Sequence, residues 1–248
     1  MDNLSGKTAL VTGASKGIGR ATAIALAEAG AQVLVHYGKG ADEADAVVAD
    51  IRRAGGKAEK VGADLSAPQG PHDLAKRVRS IIGDRLDILV LNAGISKAAA
   101  IEDLTLEDFD RLYAVNVRAP YFLVQQLLPI LREGASIVMV SSLAAHAAVA
   151  NLSAYASTKG AISTLVTHLA SALGPRGIRV NAVAPGVVDT EMSSFAKTED
   201  GKTFVLGIQA LKQIAQPKDI AAVIAFLGSE RSKWMTGDVV RVDGGSKL

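Results

Sequence analysis

Runs of valine, isoleucine, leucine and alanine recur at residues 7–11, 31–36, 57–62, 86–91, 135–140, 178–184 and 238–242. Most lack polar alternation, which is the pattern of strands covered on both faces. Segments with apolar residues at helical spacing fill the gaps, over residues 18–29, 41–54, 71–82, 105–131, 153–173 and 217–227. Strand and helix alternate along the whole chain. That predicts right-handed βαβ units and an α/β fold, a doubly wound parallel sheet of about seven strands with helices on both faces. Boundary residues agree: Gly30 closes the first helix, Gly55 and Gly56 the second, and Thr105-x-x-Asp108 opens the fourth like a capping box. Two places depart from the pattern. Pro120 interrupts the helical run at residues 116–120, because it lacks an amide and crowds the preceding turn. Residues 193–207 are polar and poorly patterned, so a mobile flap is expected there. Neither linker nor repeat divides the chain, so residues 1–248 are expected to form one domain.

Composition narrows the chemistry. Of the 248 residues 49% are hydrophobic but only 4% aromatic, so the core is aliphatic. With 27 basic and 25 acidic residues, the net charge of +2 gives no ground for a nucleic-acid partner. The absence of cysteine excludes disulfides, thiolate nucleophiles and Cys-ligated metals, and fits a reducing cytoplasm. The N-terminus lacks the order of a signal peptide, and no apolar run approaches the roughly 20 residues that span a bilayer. A cytoplasmic protein with no membrane partner is expected.

The stretch Thr12-Gly13-Ala14-Ser15-Lys16-Gly17-Ile18-Gly19 lies between the first strand and the first helix. A glycine-rich turn there lets backbone amides approach a pyrophosphate, whose charge is favoured by the helix N-terminus. The spacing is not G-x-G-x-x-G, and glycines also make ordinary tight turns. In dinucleotide folds of the Rossmann type, an acid about 20 residues further on binds the adenosine ribose. Here the second strand ends in His36-Tyr37-Gly38-Lys39 with no carboxylate, which removes a charge that would repel a 2′-phosphate. Lys16 and Lys39 supply positive charge, or are simply solvated.

Tyr155 and Lys159 stand four apart, on one face of a predicted helix. An ammonium near a phenol favours the phenolate, so the tyrosine pKa is expected to fall toward working pH and suit general acid–base chemistry. Ser141 and Ser142 end the fifth strand, where open α/β sheets bind ligands and where a hydroxyl can hold a substrate oxygen. Each residue also has an ordinary reading, as a half-buried helix tyrosine, a solvated lysine and a strand-end cap.

Taken together, "TGASKGIG", Asn92-Ala93-Gly94, Val115-Asn116, the two serines before "YASTK", "PGVVDT" at residues 185–190 and "VDGG" at residues 242–245 resemble the short-chain dehydrogenases/reductases, 3-oxoacyl-[acyl-carrier-protein] reductases among them. The resemblance runs along essentially the whole chain. It implies that Tyr155 exchanges a proton with the substrate oxygen, Ser142 holds that oxygen, and Lys159 lowers the tyrosine pKa and binds the nicotinamide ribose. Asn116 would hold a water in a proton relay. Gly13, Ser15, Lys16, Gly17, Ile18 and Gly19 would bind the cofactor phosphates, with Tyr37, Asp64 and Leu65 near the adenosine. Asn92, Ala93 and Gly94 would close around the ribose, and Pro185, Gly186, Val188 and Thr190 would fix the nicotinamide. Ser142, rather than Ser141, has the family spacing to Tyr155.

NADP(H) is the favoured cofactor because Tyr37 stands where NAD-using relatives tend to have Asp. The arginine that many NADP-using relatives carry near Gly38 is missing, which leaves NAD(H) possible. The reaction the resemblance implies is NADPH-dependent reduction of a 3-oxoacyl or other small-molecule ketone, which needs no metal because the hydride transfer belongs to the nicotinamide. A NAD-dependent sugar or secondary-alcohol dehydrogenase is the alternative, and a non-catalytic dinucleotide sensor the alternative from another class. Of the four histidines, His36, His72 and His168 read as structural or exposed, while His146 falls in the expected pocket wall of residues 143–152. Met192, Phe195 and Phe204 either roof that pocket or cover the core. Apolar residues on several faces of the long helices, among them Phe109, Leu112, Leu123, Leu127, Leu165 and Leu169, together with the resemblance, imply a homotetramer.

Overall fold

A computed structural model describes residues 3–149 and 151–247. Seven strands form one parallel sheet in the order β3-β2-β1-β4-β5-β6-β7. They are β1 (Thr8–Val11), β2 (Gln32–Tyr37), β3 (Lys57–Gly62), β4 (Leu86–Leu91), β5 (Leu131–Val140), β6 (Arg179–Pro185) and β7 (Val239–Val242). The order reverses between β1 and β4, and the carboxyl ends beside that switch are where such sheets bind ligands.

Period-two alternation divides the core. Leu10, Leu34, Leu89 and Ile137 point to one face, under α3 (Gly70–Ile82), α5 (Ala119–Leu127) and α6 (Ser153–Leu173). Val11, Val33, Val35, Val90 and Val138 point to the other, under α1 (Gly17–Glu28), α2 (Ala41–Arg53) and α8 (Pro217–Gly228). Both faces are buried, and each fully buried leucine or valine contributes about 1.5–3 kcal/mol.

Two elements differ from the sequence expectation. The run over 105–131 is not one helix interrupted at Pro120. It is α4 (Leu106–Tyr113), a π-helical turn (Ala114–Arg118) and α5, and the following strand begins at Leu131. Widening to a π turn accommodates Pro120, which supplies no N–H to the Asn116 carbonyl four residues back. The expected flap is helical, with a 3-10 segment (Glu191–Lys197) followed by α7 (Glu199–Ile208). Thr198 caps α7 by accepting from the Gly201 amide at 3.1 Å, and Val205 is fully buried beneath it.

The helix faces behind the tetramer expectation are largely used inside the chain. Leu112, Leu123 and Leu127 are buried, and Leu165 and Leu169 pack against the core. Phe109 remains exposed, near Leu106 on α4. Among the described residues, no helix is long and apolar enough to cross a membrane.

Candidate active site

A groove of about 1450 Å³ runs along the carboxyl ends of the strands, lined at one end by the turn after β1 and at the other by Glu191–Lys197 and α7. The turn is glycine-rich for steric reasons. Gly13 has φ +63°, and a Cβ there would meet the Ala93 Cα at 2.9 Å. Gly17 has φ +56°, and a Cβ on Gly19 would run into the Gly13 carbonyl. Beneath the turn, Thr12 Oγ1 accepts from the Asn92 and Ala93 amides at 2.9 and 3.0 Å. Asn92 Nδ2 donates to the Thr12 and Gly13 carbonyls at 2.8 and 3.1 Å. β1 and β4 are thereby tied where α1 begins, and the first amides of α1 are left facing the groove.

The Lys16 ammonium does not stand free at the end of β2. It forms an ion pair with Glu191 at the far wall, both side chains being exposed. Lys39 lines the groove at the β2 end, together with Gly38 and His36. Tyr37, expected near the adenosine, instead lays its ring over Gly62, where an added Cβ would sit 2.8 Å from its hydroxyl. Its side chain points away because residues 36 and 37 alternate across the sheet. Asp64 lines the groove and accepts from the Ser66 amide and hydroxyl at 2.9 and 2.6 Å, which holds its carboxyl below the usual range. Leu65, Ser15, Ile18, Gly94, Pro185, Gly186, Val188 and Thr190 also line the groove.

At the centre, β5 delivers Ser141 and Ser142, and the first turns of α6 bring Tyr155 and Lys159 against them. Ser141 is buried, its hydroxyl donating to the Lys159 carbonyl at 3.1 Å and pairing with Ser163 at 2.9 Å. Ser142 faces the groove beside Tyr155 and accepts from the Ala144 amide at 3.1 Å. Asn116 is buried in the π turn. Its Oδ1 accepts from the Ile95 amide at 2.9 Å, and its Nδ2 donates to the Ile95 carbonyl at 2.9 Å and to Thr158 at 3.1 Å. A water relay at Asn116 would therefore use its main-chain carbonyl, the one Pro120 leaves without its usual donor.

The expected fall in the tyrosine pKa is corrected by the structure. Burial pushes the Tyr155 phenol up, and the nearby Ser142 hydroxyl opposes this in part. The Lys159 ammonium lies 5.6 Å from the ring centroid and donates to the Val140 carbonyl at 2.8 Å. Burial depresses Lys159 itself to about 8. Desolvation acts on both groups here, and it disfavours the charged form of each.

The substrate side has a different make-up. A side cavity of about 480 Å³ adjoins the groove, walled by Ala99, Ala145, Ala147, Ala148 and Ala156. His146 also lines it, whereas His168 is exposed and His72 is half-buried beside Phe122. Ala150, within the expected wall of residues 143–152, lies outside the described residues. Asn151 has φ +58°, and its carbonyl accepts from the Ala99 amide at 2.9 Å, joining the two loops that flank the cavity. Met192, Phe195 and Phe204 line the groove and are about half exposed.

Thr12 and Arg111 were given no role by the sequence reading and His36 was read as structural or exposed; Arg111 lines the groove, Thr12 braces it, and His36 is buried in a bracing position. Thr12 and His36 did carry a signal, being polar residues at the carboxyl ends of otherwise apolar strands.

A phosphate-ready turn and a tyrosine–lysine–serine cluster at the same strand ends define a nucleotide-dependent oxidoreductase. Comparison with known proteins agrees. A family model described as enoyl-(acyl carrier protein) reductase matches residues 13–247. An uncharacterized oxidoreductase of Methylorubrum extorquens is 43% identical over 248 residues, covering 99% of each chain. Versicolorin reductase 1 of Aspergillus parasiticus is 38% identical over 256 residues, covering 98% of this chain and 97% of its own. The solved structure of the angucycline C-6 ketoreductase LanV with bound NADP has a TM-score of 0.94 at 41% identity, covering 100% of this chain and 98% of its own. The chain belongs to the short-chain dehydrogenase/reductase family.

Proposed function

We propose that the protein reduces a ketone to a secondary alcohol with NADPH, and that the ketone is borne on a fused-ring skeleton. The observation that carries this reading is the placing of the Ser142–Tyr155 pair between a phosphate-ready groove and an alanine-walled cavity. The groove fits a dinucleotide, since Gly13 and Gly19 leave bare backbone where any side chain would collide. The ring-bearing substrates named for versicolorin reductase and LanV support the substrate class by similarity.

When bound, NADPH supplies the reducing equivalent to the carbonyl carbon; the protein does the rest. Ser142 holds the carbonyl oxygen, and Tyr155 gives that oxygen its proton as negative charge develops. The phenol is raised by burial, so it stays protonated and is a competent donor near neutral pH. Lys159, held by the Val140 carbonyl, orients the nicotinamide ribose and draws the phenol's replacement proton from solvent through the Asn116 turn. Lys39, and Lys16 once it leaves Glu191, provide the charge for a 2′-phosphate, and the turn amides and α1 hold the pyrophosphate.

NADPH oxidation measured with 2-tetralone, acetoacetyl thioester and crotonyl thioester tests the reading, with secondary alcohols and sugars tried in reverse. The bicyclic ketone is expected to exceed the linear thioester by about tenfold in kcat/KM, a difference of about 1.4 kcal/mol. A preference for acetoacetyl thioester would replace the fused-ring reading with the 3-oxoacyl one. Turnover only with NAD and an alcohol would overturn the reductase assignment.

A further inference from the structure

His36, the penultimate residue of β2, is 2% exposed, yet both ring nitrogens are bonded. Nδ1 accepts from the Gly13 amide at 3.0 Å, and Nε2 lies 3.1 Å from the Ala63 carbonyl. An amide only donates and a carbonyl only accepts, so the single ring proton sits on Nε2 and the imidazole is neutral. The His36 carbonyl also takes the Ala14 amide at 2.8 Å. His36 therefore occupies two consecutive amides of the glycine-rich turn and turns them inward, leaving the amides of the α1 N-terminus for an anion. Its other bond reaches the residue before Asp64 and Leu65, on the opposite side of the adenosine end. Gly13 is gripped from behind as well, through its carbonyl and Asn92.

We propose that His36 is the positioning residue of the dinucleotide site: its neutral ring, anchored at the Ala63 carbonyl, fixes the phosphate turn by accepting the Gly13 amide. The ring touches neither reacting atoms nor the proton path, so it acts on cofactor affinity rather than on chemistry. A protonated ring would present an N–H to the Gly13 N–H, and burial keeps that form rare, with the pKa lowered to about 4. The inference rests on the reading of the groove as a dinucleotide site, and wild-type NADPH binding tests that reading separately.

The experiment titrates NADPH into the wild type and three variants by fluorescence, alongside kcat at saturating cofactor and thermal stability. His36→Leu removes both bonds. His36→Gln can still donate toward Ala63 but lacks the acceptor for Gly13. His36→Asn places Oδ1 where Nδ1 stood, and so restores the acceptor. The Leu and Gln variants are expected to raise the NADPH Kd by about tenfold or more while changing kcat by less than about threefold, and Asn is expected to recover most of the loss. Should the Leu variant not fold, the Gln and Asn pair carries the comparison. Equal Kd values for Gln and Asn, or lower stability with unchanged Kd in all variants, would overturn the proposal. A wild type that binds no NADPH would overturn the reading of the groove instead.

Discussion

On the β1–β2 side of the cleft the polar groups are bound to one another: Thr12, Asn92 and His36 between them occupy the amides and carbonyls around Gly13. On the opposite side the walls are alanines and partly exposed large side chains, Met192, Phe195 and Phe204, joined to the rest by few specific bonds. The two sides meet different demands. A pyrophosphate needs backbone dipoles held still, because preorganised donors cost no reorganisation when the ligand arrives. An apolar ring system needs shape and dryness, which small side chains and a helical cover provide without directional contacts.

The largest effect is expected where the two sides meet. Tyr155→Phe should lower kcat by about 10²–10⁴-fold while leaving the NADPH Kd within about threefold, since it removes the proton donor and little contact area. Steady-state kinetics beside a binding titration check this, and near-normal turnover would remove Tyr155 from the mechanism.

Next comes the rigidity of the cofactor side, read through pH. The folded-state pKa of His36 is about 4 against 6.5 when unfolded. Its contribution is complete above pH 6.5, is lost as pH falls, and is gone below about 4, a change of roughly 3 kcal/mol. Urea unfolding at pH 7 and pH 4 should show the wild type losing more stability than His36→Asn by about that amount. Identical losses would mean the ring is not held neutral.

The smallest effect tests the ion pair that links the glycine-rich turn to the Glu191–Lys197 segment. Lys16→Ala should lower kcat/KM for NADPH about tenfold more than for NADH, since a charged partner of a 2′-phosphate is worth about 1.5 kcal/mol. Glu191→Gln should move the preference toward NADPH by about two- to threefold, because it releases Lys16 from an exposed, solvent-screened pair. Equal losses for both cofactors in Lys16→Ala would return that lysine to a surface role.

The strands and most helices were legible because every core position repeats at period two or near 3.6, a local property of the chain. The Gly13–Gly19 turn was legible for a similar reason, since glycine at positive φ leaves its mark in the residue type itself. The helices at residues 191–208 were not legible because α7 holds its place through a Thr198 cap and a buried Val205, too little to make a pattern. That the Tyr37 ring lies over Gly62 depends on the register between β2 and β3, which the sequence does not carry.

By itself, the sequence determined the alternation that makes a doubly wound sheet, the backbone-bare turn, and the spacing that puts Tyr155 and Lys159 on one helix face. Only the tertiary structure decided what those groups experience. Burial raises the phenol and depresses the ammonium, the ion pair with Glu191 draws Lys16 across the groove, and packing of β2 beside β1 brings His36 to the Gly13 amide. Spacing along a chain is local, whereas desolvation and partner choice depend on segments distant in sequence that only the fold brings together.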